Sequence, residues 1–383
     1  MKNRKKWLLS FLHALFLLVL TAMWMNSPNS YGDEKVVIKW PALSIRLFSF
    51  TDKSVSKDKY LFIDLSHEKA TIPSDDGTGN IAITDRKKLS DFFNIIKKNP
   101  SKVKFIFCDV LLKGQSDEDN ALQQSIDGLD NLLFATQVNQ KGIVEQSAFR
   151  LKQGLTDYQA SDGDFIKFNL FQDKATRTLP IGMYSQLNDH QFDSYGPLHF
   201  DNGKLSLNYM IVDYKILFRQ LFQTNGYHVS RLSDLLVVPA DELVEKYLKG
   251  RIIIMGDFEN DIHDTPFGPM PGSLIMLNTY LSLLDGKHLV STIWIIYLLF
   301  AYTLLSKIIL FHHSLSEKRK LKRFGIFIKS GIYLVVASLI SYIIFGHHLQ
   351  VLFVTLYING IAICIQLLKK PFNWQNVKKA FTK

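Results

Sequence analysis

Apolar positions follow three different rhythms along this chain, and each rhythm predicts a different kind of element. Trp7 to Met25 is an apolar run of about 19 residues without a charge. Leu289 to Phe311, Ile326 to Phe345 and Val351 to Leu368 are three more, each about 18 to 23 residues of mainly Ile, Leu, Val, Phe and Tyr. At 1.5 Å per helical residue, such runs match a hydrocarbon core of roughly 30 Å. The expectation is one transmembrane helix before a long polar middle and three after it.

The middle has the shorter rhythms of an α/β domain. Tyr60-Leu61-Phe62-Ile63-Asp64-Leu65 is a brief apolar run ending at a carboxylate. Thr84-Asp85 then opens an amphipathic helix with Leu89, Phe92, Phe93 and Ile96 on one stripe. Val103 to Asp109 reads as the next strand, Asp117 to about Gly128 as a polar-faced helix and Leu132 to Thr136 as a third buried strand. Strands this uniformly apolar are covered on both faces, so the expected fold is a three-layer α/β domain with a mostly parallel sheet. Short period-two runs follow at Phe165 to Phe171 and Leu205 to Ile211. Ala240 to Leu248 reads as a helix, Arg251 to Asp257 as another buried strand, and Ser273 to Leu284 as a helix leading to the membrane.

Charge sets the orientation. The net charge of +10 hides a partition: residues 1–25 and 289–383 hold sixteen Lys and Arg against one acid, Glu317, which leaves the middle at about −5. The basic residues flank apolar runs rather than one folded face, which argues against a nucleic-acid partner. Lys2, Arg4, Lys5 and Lys6 precede the first run. Lys318, Arg319, Lys320, Lys322 and Arg323 lie between the second and third, and Lys369, Lys370, Lys378, Lys379 and Lys383 follow the fourth. The Gly346 to Gln350 turn has neither Lys nor Arg. By the positive-inside rule the basic segments are cytoplasmic. The expected layout is therefore a cytoplasmic N-terminus (1–6), an anchor (7–25) and an extracytoplasmic domain (26–288). Spans at 289–311, 326–345 and 351–368 follow, joined by a basic cytoplasmic loop (312–325) and a short external turn (346–350), with a cytoplasmic tail (369–383). A cleaved signal peptide is the competing reading of the first run, but Trp24-Met25-Asn26-Ser27-Pro28 lacks a small-x-small site. The spans contain no Asp or Glu, which disfavours an ion-coupled carrier. Two cysteines, Cys108 and Cys364, lie in different environments and form no expected disulfide.

Candidate chemistry gathers at strand ends. Open α/β sheets bind ligands beyond the carboxyl ends of their strands. Asp64, Asp109 and Asp257 stand at such ends, and the loop of Asp261, His263, Asp264 and Thr265 follows the last of them. If the strands are neighbours, these residues form a ligand-binding crevice. The competing reading is that each Asp caps a turn. Asp-x3-Asp-x-His-Asp matches no standard calcium or zinc spacing, and there is no nucleophile elbow, Walker loop or Gly-x-Gly-x-x-Gly. No cofactor, metal or catalytic residue is expected.

The segment Leu248 to Asp257, with Asp261, His263, Thr265-Pro266, Met270-Pro271-Gly272, Asn278 and Ser282 to Gly286, resembles the closing motif of the CHASE type-two domain. Phe62-Ile63-Asp64-Leu65, Phe107 to Leu111 and Asp162-Gly163-Asp164 are similar to its earlier elements, and the likeness covers about residues 36–286. Trp40 to Asp52 matches poorly. The resemblance implies an extracytoplasmic sensory module with one helix before and three after. Members commonly continue into a histidine kinase, nucleotide cyclase or diguanylate cyclase, whereas about fifteen residues follow the last apolar run here. It therefore implies a stand-alone membrane form that senses a small molecule, ion or envelope ligand and relays to a separate membrane or signalling partner. A structural subunit that kept the fold without sensing is the alternative.

Overall fold

The structure is a computed structural model, and it describes residues 3–27, 39, 55–73, 79–139, 141, 143–145, 147, 149–157, 164–171, 177–224, 226–311, 319–349 and 351–369. The Trp40 to Asp52 segment, most of the Asp162-Gly163-Asp164 turn, part of the basic loop and the tail beyond Lys369 lie outside these residues. Two compact units divide the described residues: one holds α1 (Asn3–Met25), Asn26, Ser27 and Lys39 with those after Val290, and the other those from Val55 to Val290.

The middle unit is built on a six-stranded parallel sheet. Its members are β1 (Tyr60–Asp64), β4 (Phe105–Cys108), β5 (Leu132–Thr136), β6 (Gln153–Leu155), β12 (His228–Arg231) and β13 (Ile252–Gly256). They stand in the order β12-β1-β13-β4-β5-β6. The alternation of side chains divides β1, β4, β5 and β13 between two cores. Leu61, Ile63, Ile106, Cys108, Phe134, Ile253 and Met255 pack beneath α2 (Arg86–Lys98), α3 (Asp119–Ile126) and α6 (Leu232–Leu236). Phe62, Phe105, Phe107, Leu133, Ile252 and Ile254 face α4 (Leu179–Asn188) and α8 (Gly272–Leu284). Burial on both faces is why these strands read as continuous apolar runs rather than as alternating ones.

α2 starts where Asp85 caps it, accepting from Lys88 N–H at 3.1 Å, and Leu89, Phe92, Phe93 and Ile96 are fully buried along its stripe. The expected helix at Ala240 to Leu248 consists of a short turn, α7 (Ala240–Glu242), and a π-helical turn over Leu243–Leu248 that Gly250, at φ +69°, ends. α8 has no solvent face: Gly272 through Leu283 are all buried. Asn278 on it is 0% exposed and ties the chain at Ile216, accepting from its N–H at 2.9 Å and donating to its carbonyl at 2.8 Å.

Smaller elements decorate the sheet. A hairpin of β2 (Lys69–Pro73) and β3 (Asn80–Thr84) follows β1. The run at Phe165 to Phe171 forms β7 (Lys167–Asn169), which pairs with β11 (Tyr209–Ile211). Between them β8 (Phe192–Tyr195), β9 (Leu198–Asp201) and β10 (Lys204–Ser206) make an antiparallel meander, and a short helix, α5 (Phe218–Leu221), follows β11. The segment expected as a loop at Asp261 to Gly272 is a second hairpin, β14 (Ile262–Thr265) with β15 (Gly268–Pro271). It closes because the Thr265 hydroxyl donates to Gly268 O at 2.6 Å and accepts from Phe267 N–H at 3.2 Å.

In the other unit three helices stand where the apolar runs are: α9 (Thr292–Phe311), α10 (Arg319–Phe345) and α11 (Val351–Lys369). Among the described residues α1 and α9 are long and apolar enough to cross a membrane. They pack on each other: Ser10, Ala14, Leu17, Thr21 and Met25 form the buried stripe of α1, with Thr21 Oγ1 2.7 Å from Tyr302 Oη and His13 Nδ1 2.8 Å from Ser306 Oγ.

Candidate functional site

The parallel order brings the predicted carboxylates together. β13 lies between β1 and β4, so Asp64, at the end of β1, and Asp257 and Asp109, the residues just after β13 and β4, stand on three neighbouring strand ends. Gly256 closes β13, and a Cβ there would fall 2.7 Å from the Ser273 side chain and 3.6 Å from Asp109 Cβ. Its bare backbone lets the first turn of α8 rest on the strand end beside Asp109. At that turn Gly272 faces Asp261, whose Oδ2 would lie 2.3 Å from an added Cβ. The Gly272 N–H donates to Asp261 O at 2.9 Å, and Asp261 Oδ1 stands 2.9 Å from His263 Nε2.

A cavity of about 600 Å³ opens over this edge. Asp109, Asp257, Asp261 and His263 line it; Asp64, Asp264 and Thr265 do not. Asp64 accepts from Ser66 N–H at 2.9 Å, from the Ser66 hydroxyl and from Phe258 N–H at 3.3 Å, joining the turn after β1 to the loop after β13. Thr265 is 5% exposed and held within its hairpin, while Asp264 is exposed and its carbonyl accepts from Phe165 N–H at 2.7 Å. These three have structural partners or positions away from the cavity.

The lining carboxylates differ in environment. Burial works against an ionised Asp257, but hydrogen bonds from the Asn260 N–H (2.8 Å), the Asn260 side chain (3.1 Å) and Lys69 Nζ (3.1 Å) outweigh it. Its carboxyl lies well below the usual range and stays charged. Asp109 has no side-chain hydrogen bond among the described residues. Burial first, and the charge of Asp261 second, push its carboxyl up to about 7, with His263 opposing. Asp157, a further lining residue, is raised by burial although Val138 N–H donates to it.

Several lining residues were not singled out by the sequence reading. Lys69 and Thr84 come from the β2–β3 hairpin, and Lys113, Gln137, Thr156 and Asp157 come from segments just beyond β4, β5 and β6. Lys113 Nζ pairs with Glu145 at 3.2 Å. Two alternating runs flanking Asp76-Gly77 are a sequence signal for the hairpin. The cavity thus holds four carboxylates and one imidazole against two lysines, each lysine already paired. Cys108, next to Asp109, is no nucleophile in this setting: burial, and then the Asp109 charge, hold its thiol well above the ordinary value. Among the described residues no group of three His, Cys, Asp or Glu is placed to hold a metal ion.

The family model of the CHASE2 domain matches residues 24–309, three quarters of the chain and all six strands of the sheet. The chain belongs to the CHASE2 domain family. CHASE2 is an extracytoplasmic sensory domain family, and its match here runs from the end of α1 into α9, so the cavity at the sheet edge is part of the CHASE2 domain. No curated protein and no solved structure matches the chain.

Proposed function

We propose that this chain is a multi-pass inner-membrane sensor whose CHASE2 domain stands outside the cytoplasm and binds a small ligand in the cavity at the carboxyl edge of its parallel sheet. The observation that carries this reading is Asp109: a largely enclosed carboxyl without a hydrogen bond among the described residues, at the edge of a cavity of about 600 Å³ in which acids outnumber bases. Such a group is satisfied by a cation or by a donor-rich ligand, which lowers the cost of its charge. The ligand class proposed is therefore a small amine-bearing molecule or a cation. The layout supporting this is four crossings with both termini cytoplasmic, as the basic flanks favour. The reading is non-enzymatic. The response passes through the helices to a separate membrane or signalling partner, which requires that the ligand bind two arrangements with different affinity.

The test is thermal melting of the full chain in detergent against amines, amino acids and divalent ions. A ligand at about a hundredfold its Kd adds about 2.7 kcal/mol of stability, and Asp109→Asn removes that gain. Absence of any shift across the panel refutes the sensing reading.

Scaffolding within a membrane complex is favoured by one observation: Asp64 and Asp257 are fully engaged in holding turns. It requires a stoichiometric partner whose co-purification survives Asp109→Ala and Asp261→Ala.

A further inference from the structure

The segment by which the chain leaves the sensory domain is held by one buried acid and two histidines. Residues 287–290, which lead to α9, lie beside β10. Leu207 N–H donates to His288 O at 2.8 Å, Val290 N–H donates to Leu205 O at 2.9 Å, and Ser206 bridges Leu289. The His288 side chain is 0% exposed, with Nε2 2.9 Å from Asp201 Oδ2 on β9. His190, just after α4, places Nδ1 2.6 Å from Asp201 Oδ1. Asp201 itself is 2% exposed.

We propose that Asp201, His190 and His288 form a proton-operated latch on this exit segment, closed while at most one imidazole is charged and opened when both are. One carboxylate balances one imidazolium. His190 has acceptors for both ring N–H groups: it is 27% exposed, and its nitrogens face Asp201 and the Tyr184 hydroxyl, 3.2 Å away, both able to accept. His288 has no such provision. Its Nε2 is engaged by Asp201, and its Nδ1 is buried without a partner among the described residues. A second proton would create a buried N–H without an acceptor and a cation without a counter-charge, a combination that is costly inside a protein. Moving His288 into water relieves both costs, and with it residues 287–290 leave β10.

Among the described residues the surroundings offer no second counter-charge; the Tyr184 hydroxyl donates to Asp201 Oδ2 at 3.4 Å. Tyr184 of α4 is kept neutral by burial and by the Asp201 charge, and Tyr280 of α8 faces it. Phe192 of β8 lies against the His288 ring, and the Asn202 amide approaches His190 at 3.3 Å. His199, on the same strand as Asp201, is bonded to Ser194 and stacked on Phe171. Among the described residues no lysine, arginine or further acid forms an ion pair with the three. The latch does not depend on what the cavity binds.

Hydrogen exchange of the full chain in lipid nanodiscs tests this, with the Leu207 and Val290 amides as reporters. Between about pH 8 and about pH 5, after correction for intrinsic rates, their protection is expected to fall about tenfold while β1, β4 and β13 keep theirs. His288→Gln keeps a donor for Asp201 but cannot take a proton, so the protection should persist at about pH 5. Asp201→Asn removes the counter-charge and should move the loss to higher pH by about one unit. Protection independent of pH in the unaltered chain, or the same loss in His288→Gln, overturns the latch. If His288→Gln does not hold the segment at any pH, Asp201→Asn decides, and an unmoved transition overturns it.

Discussion

Replacing Asp109 by Asn should stabilise the protein, and by an amount that grows with pH. The folded chain holds a proton on Asp109 up to about pH 7, whereas the unfolded chain releases it near the ordinary value of 3.8. Because the folded state binds more protons over that interval, stability falls as pH rises from 3.8 toward 7 and levels off above. At 1.36 kcal/mol per tenfold, the cost is roughly 1.5 kcal/mol at pH 5 and roughly 4 kcal/mol at pH 8. Asn has the same shape and no charge, so it escapes this cost, less about 1 kcal/mol for its own unpaired amide. For a domain of this size, roughly 2–4 °C per kcal/mol translates the net gain into a melting-point rise of several degrees at pH 8 and little or none at pH 5. Differential scanning fluorimetry of the two proteins across that range is the assay. A rise equal at both pH values, or a fall at pH 8, refutes the assignment of a destabilising charge to this carboxyl. The same reasoning says that a cationic ligand at Asp109 binds more tightly at pH 8 than at pH 5.

Other expectations follow from the packing. Gly272→Ala drives a Cβ into Asp261, so it should separate Asp261 from His263, cost about 1–2 kcal/mol in denaturant unfolding and abolish any ligand-dependent shift. Arg86, 2% exposed, donates to Asp119 and to the carbonyls of Lys113 (2.6 Å) and Gly114 (3.2 Å); Arg86→Ala should cost about 3–5 kcal/mol in thermal melts, and Lys should not restore it. A double-mutant cycle of Thr21→Ala with Tyr302→Phe should give a coupling of about 0.6 kcal/mol or more, and zero coupling would remove the α1–α9 contact from the account.

Much of the fold is readable in the chain because burial on both faces leaves a plain mark. Phe105 to Cys108 and Ile252 to Gly256 are apolar throughout, and α2 has a stripe with a capping Asp at its start. The ends of these strands, and so three of the carboxylates, were legible for the same reason. Strand order was not, since nothing local in Ile252 to Gly256 says that it inserts between β1 and β4. Nor does the sequence separate Asp64 from Asp109. One is engaged by Ser66 and by Phe258, nearly two hundred residues on, and the other has no side-chain hydrogen bond among the described residues, a difference set by which backbone amides the fold delivers. The same limit hid Asp157 and Lys113 from the site and His288 from Asp201, 87 positions apart.

The burial of α8 on every side has a mechanical meaning. A helix with one wet face can roll, because only half of its contacts resist. This one, about 20 Å long by its 13 residues, can neither roll nor bend without disturbing packed neighbours all round. Gly272 at the cavity and Leu283 near the end of the domain are therefore parts of one stiff element.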